Sequence, residues 1–315
     1  MLTTIALTLL AFTLLWVGAG LAIKGITNIS HSFKLSSFTV SFFILGIFTS
    51  MTEILVGVSA LLENKPEIYV GNLLGSSAVV FLVVLPFLAI AGNGVKISRN
   101  LSVTDISKII LVAFIPALLT FDNTFSVLDA IIAVLSYFAG AFIISTKSNL
   151  FEKISHKDVS LKTLVFNLIT ILTALALVFL GSHLLVDQIP NIGKLFKLSP
   201  FVISILIVSL GTNVPELSIA VRSIFNKHKE IAIGTYLGSA LVNTLEIGVL
   251  TLINGNGVLA EGSNFSIAIF GIGLLLFLIF IKSKHELSRK EGILLVIIYL
   301  LFAFLELNTG PGWVI

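Results

Sequence analysis

Apolar runs of about 20 residues, separated by short polar stretches, recur along the whole 315-residue chain. A helix needs about 20 predominantly apolar residues to cross the hydrocarbon core of a bilayer. A window of that length predicts ten crossings, near 2–23, 37–62, 68–91, 105–120, 127–146, 162–184, 198–224, 230–253, 264–282 and 291–308. The first could be mistaken for a cleaved leader, but no basic residue precedes its apolar run and Lys24 follows it, so a retained helix is expected. The longest polar connection, Lys147 to Lys162, falls at the middle of the chain. It divides the protein into a first five-helix unit (1–146), a linker (147–161) and a second five-helix unit (162–315).

Composition agrees with the pattern. Hydrophobic residues make up 57% and charged residues 11%, with a mean hydropathy of +1.10. A soluble domain carries about 25% charged residues, so no soluble domain of useful size is expected. Cysteine is absent, which excludes disulfides and thiol chemistry. The five histidines show no ligand spacing, and His183 reads as an interfacial or packing residue. No nucleophile and base stand together in the sequence, so an enzyme is not expected. The net charge of +3 belongs to solvated loops and gives no case for nucleic-acid binding.

The two units are copies. Sliding residues 17–82 onto 180–245 gives 23 identities in 66 positions, where roughly one in ten would follow from composition alone. Thr49 and Glu53 return as Thr212 and Glu216, and Gly71, Gly75 and Ser76 return as Gly234, Gly238 and Ser239. Five crossings per copy is an odd number, so the second copy enters the membrane upside down. That inverted repeat places equivalent residues near the midplane, the arrangement of secondary transporters. With the N-terminus outside, 16 of the 19 Lys and Arg residues lie on the inner side, leaving Lys65, Lys194 and Lys197 outside. The positive-inside rule therefore predicts both termini outside.

Glu53 and Glu216 fall in the middle of the second and seventh crossings, where an ionised carboxylate costs at least about 2.5 to 3.5 kcal/mol. Two carboxylates brought together across a pseudo-twofold axis repel, and a cation between them removes the repulsion. Pro215 removes one N–H and pushes away the carbonyl of residue 211, which frees main-chain oxygens beside Glu216. Two bidentate glutamates plus the Thr49 and Thr212 carbonyls supply six oxygens, within the six to eight that Ca2+ takes. The neighbouring hydroxyls, Ser50 among them, have a second reading, back-bonding within a kinked helix. The GxxxG pairs likewise suit close helix packing, with Ser76 and Ser239 just beyond the contact. Glu246 lies one helical turn after Asn243, on the same face. It is either a further ligand or a protonated structural group.

In these residues the chain resembles the cation/calcium exchanger superfamily, which includes the sodium/calcium exchangers. The segment Gly211-Thr212-Asn213-Val214-Pro215-Glu216 is similar to that family's Gly-Thr-Ser-x-Pro-Glu. The first copy is looser, with Phe48 at the Gly and Thr52 at the Pro, so its helix is expected to be less broken. The resemblance implies that Glu53, Glu216 and the carbonyls of Thr49 and Thr212 hold Ca2+. It also implies Na+ sites that pair Ser76 with the Gly46 carbonyl and Ser239 with the Ser209 carbonyl; Ser50 and Asn213, each next to a site threonine, are further candidate ligands. The family's central pair of Asn or Asp corresponds to Val80 and Asn243, and Val80 carries no oxygen.

The expected fold is thus all-α and integral to the membrane, ten transmembrane helices as two inverted five-helix repeats. The expected function is antiport of Ca2+ against Na+ by alternating access at a cell membrane. The ions are cargo, and no cofactor is expected. Proton-coupled exchange on the same fold is the alternative, and a transport-inactive sensor or scaffold is a further one given Val80.

Overall fold

The computed structural model describes residues 2–30, 42, 46–96, 102–147, 161–225, 229–262, 264–284 and 286–309. Most of the expected linker, including Ser155, lies outside the described residues, as does most of the stretch 37–45 that opens the second expected crossing.

The chain is almost entirely helical. In the first repeat α1 (Leu2–Ser30) is followed by a broken crossing made of α2 (Gly46–Thr49) and α3 (Met51–Leu62). The third crossing runs through α4 (Pro66–Val79), a π-helical turn at Val80–Val84, and α5 (Leu85–Ala91). Helices α6 (Val103–Leu119) and α7 (Val127–Lys147) complete the repeat. The second repeat opens with α8 (Leu161–Phe196) and then a broken crossing: α9 (Pro200–Ile203), a π-helical turn at Ser204–Val208, α10 (Ser209–Thr212) and α11 (Val214–Phe225). It ends with α12 (Lys229–Asn254), α13 (Asn264–Lys284) and α14 (Arg289–Thr309). Among the described residues nine of these crossings are long and apolar enough to span a bilayer, and Met51–Leu62 belongs to the tenth.

Two boundaries differ from those read in the sequence. Helix α1 continues to Ser30, and α8 continues to Phe196 instead of ending near residue 184. The apolar run stops where the helices leave the hydrocarbon region, but the helices continue through polar residues such as Asp187, Gln188 and Asn191. A 36-residue helix is about 54 Å long, well beyond a core of about 30 Å. The two long helices pack antiparallel against each other. A Cβ at Gly18 would stand 2.9 Å from the Ala174 carbonyl, and one at Gly181 would stand 3.0 Å from the Ala11 carbonyl, so both glycines permit backbone contact.

Two small strand pairs join the repeats. Strand β1 (Val95–Lys96) pairs antiparallel with β4 (Glu286–Leu287), and β2 (Thr124–Phe125) pairs with β3 (Val258–Leu259). Each pair links loops that the ten-crossing parity puts on one side of the membrane, one pair per side. Labelling tests the parity and the orientation together. Single cysteines replacing Ser155 and Asn64 are expected to react with an impermeant thiol reagent from opposite sides, with position 155 reacting from inside. Reaction from one side would contradict the inverted repeat.

The centre of the bundle is formed by the third and eighth crossings, whose windows are the most enclosed of the set. Their GxxxG faces explain the close fit. A Cβ on Gly71 would stand 2.7 Å from the Phe201 carbonyl, and one on Gly75 would overlap the Ile205 carbonyl, well inside van der Waals contact. In the other half, a Cβ on Gly238 would overlap the Phe42 carbonyl in the same way. Each repeat therefore presents its GxxxG helix to the broken crossing of the other repeat.

Candidate functional site

Both glutamate-bearing crossings break at equivalent points. Ser50 (φ −74°, ψ 1°) and Asn213 (φ −85°, ψ 8°) leave regular helix geometry just before the helices that carry Glu53 and Glu216. The first-half break, expected to be weaker because Thr52 replaces proline, is as complete as the second. Side chains sustain it. The Thr52 hydroxyl donates to the Thr49 carbonyl at 3.1 Å, and Ser50 Oγ lies 2.9 Å from Ser239 Oγ across the interface.

The breaks direct a set of oxygens into the protein's centre. Glu53, Glu216, Thr49, Thr212, Ser50, Asn213, Ser76, Ser209, Ser239, Asn243 and Glu246 are all buried, as is Gly46. Their contacts repeat across the pseudo-twofold axis. Ser76 Oγ donates to Glu53 Oε1 at 3.4 Å, and Ser239 Oγ donates to Glu216 Oε1 at 3.2 Å. Thr49 Oγ1 donates to the Gly46 carbonyl at 3.2 Å, and Thr212 Oγ1 donates to the Ser209 carbonyl at 3.3 Å. Asn213 Nδ2 donates to Ser76 Oγ at 2.9 Å, the counterpart of the Ser50–Ser239 contact.

The hydrogen bonds at the flanking groups run differently from the pairing the resemblance suggested. Asn213 Nδ2 reaches Ser76 Oγ and the Ser209 carbonyl, at 2.7 Å, together, so Ser76 belongs with Ser209. Gly46 instead backs onto Gly238 and the Ser239 amide. Asn213 thus bridges Ser76 of the first repeat to the Ser209 carbonyl of the second, where the GxxxG helices cross between halves.

Several groups were not legible as site residues. Thr52 Oγ1 lies 2.6 Å from Glu53 Oε2 and 3.1 Å from the Thr212 carbonyl as well as near Thr49. Asn72 Oδ1 accepts from Thr212 Oγ1 at 3.2 Å, and Tyr236 donates its hydroxyl to the Glu216 carbonyl at 2.8 Å. Their counterparts at the repeat offset are Pro215, Thr235 and Leu73, so the duplication hid all three.

Chemically the region is rich in oxygen donors and poor in cations. Among the described residues, no lysine or arginine forms an ion pair with Glu53, Glu216 or Glu246. Glu216 Oε2, Asn213 Oδ1 and Glu246 Oε2 are buried without a hydrogen-bond partner. Buried acceptors of this kind are costly unless a proton or a cation meets them. At the central pair, Val80 is fully buried in the π-helical turn, while Asn243 Oδ1 receives a long contact of 3.5 Å from Ser50 Oγ. His183 lies away from this set, in an exposed group with Glu63 at 3.4 Å and with Asp187.

The description of the family whose model matches residues 3–146 and 166–308 is sodium/calcium exchanger protein. The chain belongs to that family. The two matched segments fall on the two repeats and leave out 147–165 between them. An uncharacterized membrane protein of Methanocaldococcus jannaschii, MJ0091, is 27% identical over 306 residues, covering 96% of this chain and 97% of that one. A putative antiporter of Alkalimonas amylolytica, CaxA, is 23% identical and covers 98% of this chain and 100% of that one. The sodium/calcium exchanger MaX1 of Methanosarcina acetivorans is 27% identical over 137 residues, 43% of this chain and 39% of that one. Among solved structures, the sodium-calcium exchanger NCX_Mj soaked with 100 mM Na+ and 10 mM Sr2+ matches with a TM-score of 0.67 and 25% identity, over 95% of this chain and 96% of that one. The family and the fold are those of a multi-pass membrane transporter, with two inverted five-helix repeats.

Proposed function

We propose that this member of the family exchanges Ca2+ for Na+ across a cell membrane by alternating access, with both termini on the outer side. The observation that carries the reading is the buried pair Glu53 and Glu216, each held by the serine of its own repeat and neither matched by a basic side chain among the described residues. A divalent ion shared by the two carboxylates and the Thr49 and Thr212 carbonyls satisfies all four groups at once. Ser76 with Ser209, Thr212 and Asn213 on one side, and Ser239 with Gly46, Thr49 and Ser50 on the other, are the proposed Na+ positions. Occupation of these flanking positions together with the central one crowds charge into one low-dielectric region, which favours exchange over co-binding. The test is flux in proteoliposomes with Na+ and pH gradients imposed separately. Ca2+ uptake driven by an outward Na+ gradient supports the reading, and uptake driven by the pH gradient alone contradicts it.

Proton coupling is a second reading, favoured by one specific feature. Val80 supplies no oxygen to the central pair, and Glu246 is buried with an unpartnered Oε2 one turn from Asn243. If Glu246 exchanges a proton during transport, Glu246→Gln flattens the pH profile of flux while Ca2+ binding stays within a few-fold of wild type. Val80→Asn in turn increases the Na+ dependence. An unchanged pH profile in Glu246→Gln leaves that acid a structural group.

A further inference from the structure

The Thr52 hydroxyl has no counterpart in the other repeat, because the equivalent position is Pro215. It is fully enclosed. Its oxygen stands 2.6 Å from Glu53 Oε2, 3.1 Å from the Thr49 carbonyl and 3.1 Å from the Thr212 carbonyl. These three atoms are acceptors, and they come from both repeats. A hydroxyl carries a single proton, so it cannot satisfy all three as a donor. A helix-capping role explains the Thr49 contact alone and leaves the approach to Thr212 without a purpose. Oxygens that share a Ca2+ shell of seven or eight members at 2.3–2.6 Å stand roughly 2.8 to 3.2 Å from one another. The two carbonyl contacts of Thr52 have that spacing, and the Glu53 contact is slightly shorter.

Building on the proposed divalent site, we infer that Thr52 Oγ1 is itself a coordinating oxygen of that site, a neutral ligand supplied by the first repeat only. Two bidentate glutamates and two carbonyls give six oxygens, and Thr52 makes the shell seven. Seven-coordination suits Ca2+, whereas Mg2+ demands six ligands in near-ideal octahedral geometry. The substitution of proline by threonine then does two things at once. It gives the Thr49 carbonyl a side-chain donor at the helix break, and it adds an oxygen that proline cannot offer.

The test compares wild type, Thr52→Val and Thr52→Ser by calorimetric Ca2+ titration of the full chain, with melting temperature in chelator as the control. Valine keeps the shape and removes the oxygen, and serine restores the oxygen. Thr52→Val is expected to weaken Ca2+ binding about tenfold and Thr52→Ser to stay within about threefold of wild type. Melting in chelator should be unchanged in Thr52→Ser and lowered in Thr52→Val only by the loss of one buried hydrogen bond. Unchanged Ca2+ affinity in Thr52→Val overturns the inference. So does an equal loss in both variants, or a fall in melting temperature beyond that of one hydrogen bond, since either marks a packing role. If Thr52→Val does not yield monodisperse protein, Thr52→Ala set against Thr52→Ser carries the same comparison. Failure of the parent reading has a different signature, because there the wild-type protein itself binds no Ca2+.

Discussion

Replacing either buried glutamate by glutamine is expected to abolish Ca2+ binding at the centre of the bundle. Glu53→Gln and Glu216→Gln each keep the side-chain shape while removing half of the formal charge that faces the ion. Affinity in oxygen-ligand sites follows ligand charge, so each variant should lose roughly 100-fold or more. The losses should be similar, because the Ser76–Glu53 and Ser239–Glu216 contacts are near mirror images across the axis. Calorimetry on purified protein measures the loss directly. Near wild-type affinity in either variant contradicts a site shared by the two repeats.

The second large effect is expected at the glycines. Gly75 and Gly238 lie against the carbonyls of Ile205 and Phe42, and at each position even a Cβ overlaps the facing main-chain oxygen. A flexible side chain could move aside, but a backbone carbonyl in a broken helix cannot move without shifting the crossing that carries the glutamate. Overpacking costs typically about 1 to 3 kcal/mol where side chains can yield, and more is expected against the backbone. Gly75→Ala and Gly238→Ala should each lower the melting temperature and eliminate transport together. Gly20→Ala is the control, since a Cβ there meets nothing within 4 Å. Wild-type melting and flux in Gly238→Ala would contradict the close crossing.

The sequence carried the architecture further than the details of the site. A repeat of 23 identities in one register, with five apolar runs per copy, is enough to specify an inverted duplication, and the strand pairs β1–β4 and β2–β3 sit where that parity puts them. Helix ends were less legible. Hydropathy marks where the bilayer ends, whereas α1 and α8 end where their backbone bonds do. The break at Ser50 was also hidden. A proline announces a break through its missing N–H, but Thr52 acts through a side-chain hydrogen bond that depends on tertiary context.

Partner choice was the other blind point. The offset between copies states which residues are equivalent and says nothing about which copy each one faces. The crossing of the GxxxG helices between halves decides that Ser76 meets Asn213 of the other repeat, which also holds the Ser209 carbonyl. The same limit hid Asn72 and Tyr236, whose equivalents in the other copy are chemically different.

Equilibrium binding of radiolabelled Ca2+ to the purified protein, with Na+ titrated as competitor, tests the central claim most directly. One site formed jointly by both repeats and flanked by Na+ positions predicts a single Ca2+ per chain, displaced steeply and completely by Na+. Two independent Ca2+ ions per chain, or one that Na+ fails to displace, would contradict it.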